Sequence, residues 1–124
     1  MLRISQERFD QAVQAALDAL PAEFRPYLDN VRIEVHDRPD PQLLSRYELP
    51  DDILGLYLGV PLEDKLLEGD PTPMPDRVLI FRDNLRAMCR SYADLVDEIR
   101  ITLLHEIGHH FGLDEDRLSE LGYE

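Results

Sequence analysis

The chain has 124 residues and a mass of 14.4 kDa, which suits one compact domain over residues 1–124 and excludes two substantial ones. With 44% hydrophobic and 31% charged residues, it has enough apolar material to fold, and 13 basic against 26 acidic residues give a net charge of −13. An acidic surface repels phosphate backbones and anionic lipid headgroups, so we expect neither nucleic acid nor a membrane as a partner.

The cysteine content and the first residues bear on the expected location. The lone Cys89 cannot form an intramolecular disulfide, and the first five residues, MLRIS, lack the apolar run of a secretory signal. Uncharged apolar stretches fall far short of the roughly 20 residues of a membrane-spanning helix. A reducing cytoplasm is therefore the expected location.

Two elements are predicted in the first third of the chain. Apolar residues recur at spacings of three and four from Ser5 to Leu20, which indicates an amphipathic helix capped by Ser5 and ended by Pro21. Residues 30–36 alternate between apolar and polar side chains, a pattern typical of a half-exposed strand. The prolines of residues 37–52 favour an irregular, exposed connection.

Two further strands are predicted in the middle of the chain. Residues 54–60 combine apolar and aromatic side chains with Gly55 and Gly59, which permit a bulge or a close backbone approach. Residues 61–76 are too rich in proline for a sheet interior, and residues 77–82 then form a buried strand bounded by charges.

A long helix is predicted from about residue 91 to residue 110 or 111. Ser91 and Asp94 form a Ser-x-x-Asp capping pattern, and Gly112 is the expected stop because glycine adopts a left-handed backbone at little cost. A short closing helix, capped by Asp114, follows it. The predicted fold is α+β: an N-terminal helix, a small mixed or antiparallel sheet of about three or four strands, the long helix and a short C-terminal helix.

The long helix carries the sequence HEIGH at residues 105–109, which is an HExxH motif in the helical context that this motif requires. His105 and His109 lie about 40° apart around the helix and project from one face, so both imidazoles can reach a single zinc ion. Glu106 lies about 100° from His105, where it avoids ligation but can contact water beside the ion. This position suits a general base.

A third ligand is expected directly after the motif. Zinc needs at least one further protein ligand, and Gly112 lets the chain reverse and carry Glu115 or Asp116 back towards the ion. The complete pattern, HExxHxxGxxE, resembles the extended zincin motif HExxHxxGxx(H/D). More narrowly, it resembles the small zincin-like metallopeptidase family of bacteria.

The resemblance covers roughly the whole chain, since the stretches at residues 54–61, 76–81 and 102–112 are all similar to that family's pattern. It implies a minimal zincin-like fold, zinc as cofactor, and a peptide or protein substrate. It also implies the roles of the motif residues. His105 and His109 carry over as zinc ligands, Glu106 as the catalytic base and Glu115 as the third ligand, with Asp116 as the alternative.

The sequence departs from the family pattern at one position and from the metzincins at another. The third-ligand position usually holds His or Asp, whereas this chain has Glu115 there. All three methionines precede the motif, so the Met-turn of the metzincins has no counterpart.

Three functions follow from these observations. The first is a zinc-dependent peptidase in which Glu106 activates the attacking water. The second is a non-catalytic module that binds metal or a peptide. The third is another metal-dependent hydrolase, such as an endoribonuclease of rRNA maturation, against which the negative charge and the carboxylate at Glu115 argue. The sequence leaves the oligomeric state open.

Two further side chains on the long helix have alternative interpretations. His110 points about 100° away from the ligand edge, which favours packing or a hydrogen bond over ligation. Glu98 precedes His105 by two helical turns on nearly the same face, where it either orients a ligand or, more simply, is a solvated carboxylate.

Overall fold

The computed structural model describes residues 1–59, 75–112, 116 and 120. Within these residues the chain forms five α-helices and a three-stranded mixed sheet, which confirms the predicted α+β class. The helices are α1 (Gln6–Asp18), α2 (Arg25–Leu28), α3 (Pro41–Tyr47), α4 (Arg82–Met88) and α5 (Tyr92–His110). The strands are β1 (Val31–His36), β2 (Gly55–Leu58) and β3 (Asp76–Phe81), and a short 3₁₀ turn, Ala22–Phe24, precedes α2.

Helix α1 forms where the apolar spacing predicts it. The Ser5 hydroxyl accepts a 3.0 Å hydrogen bond from the Arg8 backbone N–H, which satisfies one of the free donors of the first turn. The helix ends at Asp18, shortly before Pro21. Its buried face consists of Phe9, Ala12, Val13 and Ala16.

The three strands form one sheet in the order β1-β3-β2. The central strand, β3, pairs in parallel with β1 and antiparallel with β2. Four consecutive residues of β3, from Val78 to Phe81, are buried, as expected of a central strand covered on both faces. The three predicted strands are therefore confirmed, although β2 is shorter than its predicted range.

Helix α5 lies between α1 and the sheet, with β2 and β3 on its sheet side. Its first three core residues, Leu95, Ile99 and Leu103, repeat every four positions and are fully buried. The same hydrophobic core contains the buried face of α1 and, from β3, Val78 and Ile80. The position of α5 relative to the sheet is therefore set by burial on two sides.

The prediction of an irregular connection over residues 37–52 is wrong for its middle part. Residues 41–47 form α3, whose first residue is Pro41 and whose N-cap is Asp40; the Asp40 carboxylate accepts from the Gln42 N–H at 2.9 Å. A proline at the first helical position lacks only an N–H that has no partner there, so it starts this helix rather than breaking it. The helix ends at Tyr47, and its C-cap residue, Glu48, has a left-handed φ of 53°.

The remaining regions comprise segments for which no element was predicted and segments that lie outside the described residues. No element was predicted for the segments that form α2 and α4, because neither has a long apolar period. The predicted loop at 61–76 and the closing helix lie largely outside the described residues; within the latter, Asp116 and Glu120 are helical and exposed.

Among the helices that are described, none has both the length and the apolarity needed to cross a bilayer.

Candidate active site

The HExxH motif occupies the last turns of α5. This helix begins at the predicted cap, where the Ser91 hydroxyl accepts from the Asp94 N–H at 3.1 Å. It continues through His110, and Gly112 then adopts a φ of 76°, as predicted for the helix stop. The motif is thus helical throughout, and the chain turns directly after it.

Glu106 extends from α5 towards β2, where its Oε1 accepts a 3.1 Å hydrogen bond from the backbone N–H of Tyr57. The Phe81 N–H donates to the Leu54 carbonyl, so these two residues form a hydrogen-bonded pair of the antiparallel ladder. Such pairs alternate with non-hydrogen-bonded pairs, and the pair of Tyr57 and Val78, three positions away, is therefore not hydrogen-bonded. The N–H of Tyr57 therefore points away from β3. The strand holds the Glu106 carboxylate with a donor that the sheet does not use.

The surroundings of Glu106 change its acidity. Burial raises the pKa of the Glu106 carboxyl, while the Tyr57 N–H and the charges of His105 and His109 lower it by less. A carboxylate with a raised pKa is a stronger base near neutral pH, provided that it is still deprotonated there. This is the direction of shift expected of a general base.

Gly55 allows α5 to approach β2 closely enough for this contact. A Cβ atom at Gly55 would lie 2.7 Å from Cγ2 of Thr102 and 3.0 Å from the carbonyl oxygen of Leu79. Both distances are shorter than ordinary van der Waals contact, so a side chain here would push the helix and the strand apart. The close backbone approach anticipated for the glycines of this strand is therefore observed at Gly55.

His105 and His109 lie side by side at the same edge of α5. Their rings are nearly parallel, with an interplanar angle of 10° and 4.2 Å between centroids. His105 is half-buried and His109 is exposed. The helix thus presents two imidazoles together, as the spacing predicts, beside the Glu106 carboxylate.

The proposed third ligand is not placed by the structure. Glu115 lies outside the described residues, and Asp116 is exposed. Within residues 1–59, 75–112, 116 and 120, no three His, Cys, Asp or Glu side chains are grouped to hold a metal ion. The two imidazoles nonetheless suit zinc, which binds histidine nitrogen readily, and one carboxylate would complete a three-ligand catalytic set.

A second polar cluster surrounds the side chain of Tyr57 and was not predicted. The Tyr57 hydroxyl donates to Oδ2 of the buried Asp76 at 2.8 Å, and the His110 ring stacks on Tyr57 at 3.8 Å between centroids. Burial, followed by the hydrogen bond to Asp76, raises the pKa of the Tyr57 phenol above its usual range. The packing role predicted for His110 agrees with this position.

The sequence contains a weak signal for this cluster. Alternation along β2 places Gly55 and Tyr57 on the same face, and Gly59 continues the series. A Cβ at Gly59 would lie 3.1 Å from the His110 ring, so this second glycine also leaves room for α5. The partner Asp76 could not be found in this way, because it depends on the pairing of β2 with β3.

An α+β domain that carries an HExxH motif on a helix packed across a small mixed sheet belongs to the zincin-like class. The sequence model of the zincin-like metallopeptidase family matches residues 28–123, and the chain belongs to this family. The match includes β1, β2, β3 and the whole motif helix.

Comparison with solved structures finds a chain of similar fold. A conserved hypothetical protein from Thermo thermophilus is similar to the chain with a TM-score of 0.52 and 20% sequence identity. The similarity covers 86% of this chain and 94% of that one. No curated protein matches the chain in sequence.

Proposed function

We propose that the chain is a zinc-dependent peptidase in which Glu106 is the general base and His105 and His109 are zinc ligands. The observation that carries this proposal is the position of Glu106. Its half-buried carboxylate accepts a hydrogen bond from the edge of β2, and it belongs to the same helical turn as the two parallel imidazoles. Glu115 is the proposed third ligand and Asp116 the alternative. Membership of the zincin-like metallopeptidase family supports this assignment.

The chain's own residues would divide the reaction as follows. Glu106 accepts the proton of the attacking water and later donates it to the leaving amine. The Tyr57 N–H orients the carboxylate through Oε1 and leaves its other oxygen for the water. Zinc, when bound to the two histidines and a carboxylate, supplies a Lewis acid that polarises the peptide carbonyl and makes water more acidic.

The cavity beside the motif supports a peptide as the substrate. It has a volume of about 280 Å³ and extends along β2 and α5 to Glu106. Next to it, the outward-facing backbone groups of β2 other than the Tyr57 N–H, which Glu106 occupies, can pair with an extended peptide, as in strand addition. The proposed substrate is accordingly a peptide or an extended protein segment.

The metal site is tested first, by mass spectrometry on protein purified without chelators or metal-affinity resin. We expect about one zinc per chain in the parent and a loss of zinc in His109→Ala. His36→Ala is the matched control, since His36 is an exposed histidine on β1, and it should retain the metal. Absence of zinc uptake by the parent would contradict the proposal.

The catalytic role is tested with zinc-loaded Glu106→Gln and a set of internally quenched peptides. This variant should keep its zinc and lose about 10²- to 10⁴-fold in rate, because the glutamine cannot accept a proton. Glu7→Gln, which removes an exposed carboxylate from α1, is the matched control. Equal turnover in Glu106→Gln and the parent would refute the role of Glu106. A zinc-loaded parent that cleaves no peptide would favour the non-catalytic binding module.

A further inference from the structure

The cavity that ends at Glu106 has a lining that is apolar along its length and charged at its ends. Its described lining combines the aliphatic side chains Ile53, Leu54 and Ile101 with Glu98 at the far end from the motif. Gly55 and Thr102 lie between the two ends. The cavity is therefore an apolar trough with a proposed reaction centre at one end and a carboxylate at the other.

Glu98 makes no hydrogen bond or ion pair with any residue that the structure describes, although it is half-buried. The neighbouring acidic side chains on α5 do have partners. Oδ1 of Asp97 lies 2.9 Å from Nη2 of Arg100, and Oδ2 of Asp94 accepts a hydrogen bond from the Arg90 N–H at 3.4 Å. The Glu98 carboxylate lines the cavity without an ion-pair partner among the described residues, so it is available to pair with a cationic ligand.

The distance between Glu98 and the motif defines the length of that ligand. Glu98 precedes His105 by seven residues, which corresponds to about 10.5 Å along the helix and an offset of about 20° around it. A side chain that starts at a peptide bond beside Glu106 must cross most of this distance. Lysine and arginine are long enough to do so together with the reach of the glutamate, whereas short or β-branched side chains are not.

The lining also fits the chemistry of these two side chains. Their methylene stems pack well on aliphatic surfaces while the charged head contacts a polar group, as Ile53, Ile101 and Glu98 would allow. The net charge of −13 attracts cationic peptides and repels acidic ones at longer range.

We infer that this trough selects peptides with a lysine or arginine next to the bond that is cleaved, and that Glu98 is the residue that determines this specificity. The inference rests on the proposed function for the position of the cleaved bond. The binding of a basic side chain by Glu98 is a separate property and is tested separately.

The binding test is an NMR titration of the protein with two ligands. The first is Nα-acetyl-lysine methylamide, whose side-chain ammonium group is free, and the second is its uncharged analogue, Nα-acetyl-norleucine methylamide. We expect the lysine ligand to shift the amide signals of Gly55, Glu98 and Ile101 and to bind about fivefold more tightly, the scale of a solvent-accessible ion pair. Glu98→Gln should abolish the difference, and the control Glu7→Gln should retain it. Equal binding of the two ligands by the parent, or a preference that persists in Glu98→Gln, would overturn the inference.

The second test uses pairs of internally quenched peptides that differ only in lysine, norleucine or glutamate at one position. The zinc-loaded parent should cleave the lysine peptide with the highest kcat/KM, and Glu98→Lys should shift the preference to glutamate. Cleavage without any lysine preference would refute this inference and leave the proposed function intact. Selective binding of the lysine ligand without cleavage would support this inference and count against the proposed catalysis.

Discussion

The backbone N–H of Tyr57 donates to Oε1 of Glu106 at 3.1 Å, across 49 residues of sequence. This bond couples the register of β2 to the proposed catalytic base. A shift of β2 by one residue would turn the Tyr57 N–H towards β3 and remove the donor from Glu106. The packing of α5 on the sheet therefore determines both the orientation and the acidity of this carboxylate.

The glycine at the contact between helix and strand gives the first prediction. Gly55→Ala should lower the free energy of unfolding by about 1–3 kcal/mol, because the new methyl group overlaps Thr102 and the Leu79 carbonyl. Chemical denaturation measures this change. It should be accompanied by weaker hydrogen-exchange protection at the Tyr57 N–H, because α5 and β2 move apart.

A double-mutant cycle with Thr102→Ser identifies the cause. Serine lacks the Cγ2 atom that lies 2.7 Å from the added Cβ, so Gly55→Ala should cost less in this background. Strictly additive effects of the two substitutions would show that the Thr102 methyl group is not the obstacle.

The bond between Tyr57 and Asp76 gives the second prediction. Tyr57→Phe should destabilise the protein by about 1–3 kcal/mol, because a buried carboxylate loses a donor. In an ultraviolet titration of the parent, the Tyr57 phenol should remain protonated at pH values where an ordinary phenol ionises, because its pKa is raised by burial and by Asp76.

Tyr47→Phe is the matched control, since Tyr47 is exposed and its substitution should change stability by less than about 0.5 kcal/mol. A Tyr57→Phe variant as stable as this control would contradict a structural role for the bond. A titration curve in which all tyrosines ionise together would contradict the raised pKa.

The ion pair between Glu34 and Arg77 gives a prediction about pH. The Arg77 guanidinium donates to both oxygens of Glu34, at 2.8 and 2.9 Å. This hydrogen bonding, with a smaller contribution from His36, lowers the pKa of Glu34 to about 2. Because the pKa is lower in the folded state, the pair stabilises the protein above pH 4.5, the ordinary value for this carboxyl. The contribution should decrease as the pH falls below about 4.5 and disappear as the pH passes below about 2.

The measurement is a double-mutant cycle of Glu34→Gln and Arg77→Met, followed by denaturation at several pH values. The coupling energy at neutral pH should be about 0.5–1 kcal/mol, since both side chains remain partly exposed to water. It should approach zero at the lowest pH. A coupling energy independent of pH would show that the charge of Glu34 does not contribute to stability.

The third ligand gives the last prediction. Glu115→Ala should weaken zinc binding by at least about tenfold, because a three-ligand site loses one donor, whereas Asp116→Ala should have a small effect. Competition with a chromophoric chelator measures both affinities. The reverse order would assign the ligand to Asp116, and unchanged affinity in both variants would exclude a carboxylate ligand from this segment.

The sequence was sufficient for several properties that depend on neighbours in the chain. The period of α1 and α5, their serine caps and the glycine after the motif are local features, and the structure confirms them. The prediction for α3 was wrong because Pro41 acts differently at the start of a helix than within one. Helices α2 and α4 are too short for a periodic pattern to reveal.

The sequence by itself determined the fold class, the family and the placement of two histidines on one helix face, since 3.6 residues per turn brings His105 and His109 together in any α-helix. Only the tertiary structure decided which groups surround Glu106. Its hydrogen bond to Tyr57, its raised pKa and the trough that leads to Glu98 all arise where α5 packs on β2. These contacts join residues that are distant in sequence, and burial of apolar surface, not local spacing, brings them together.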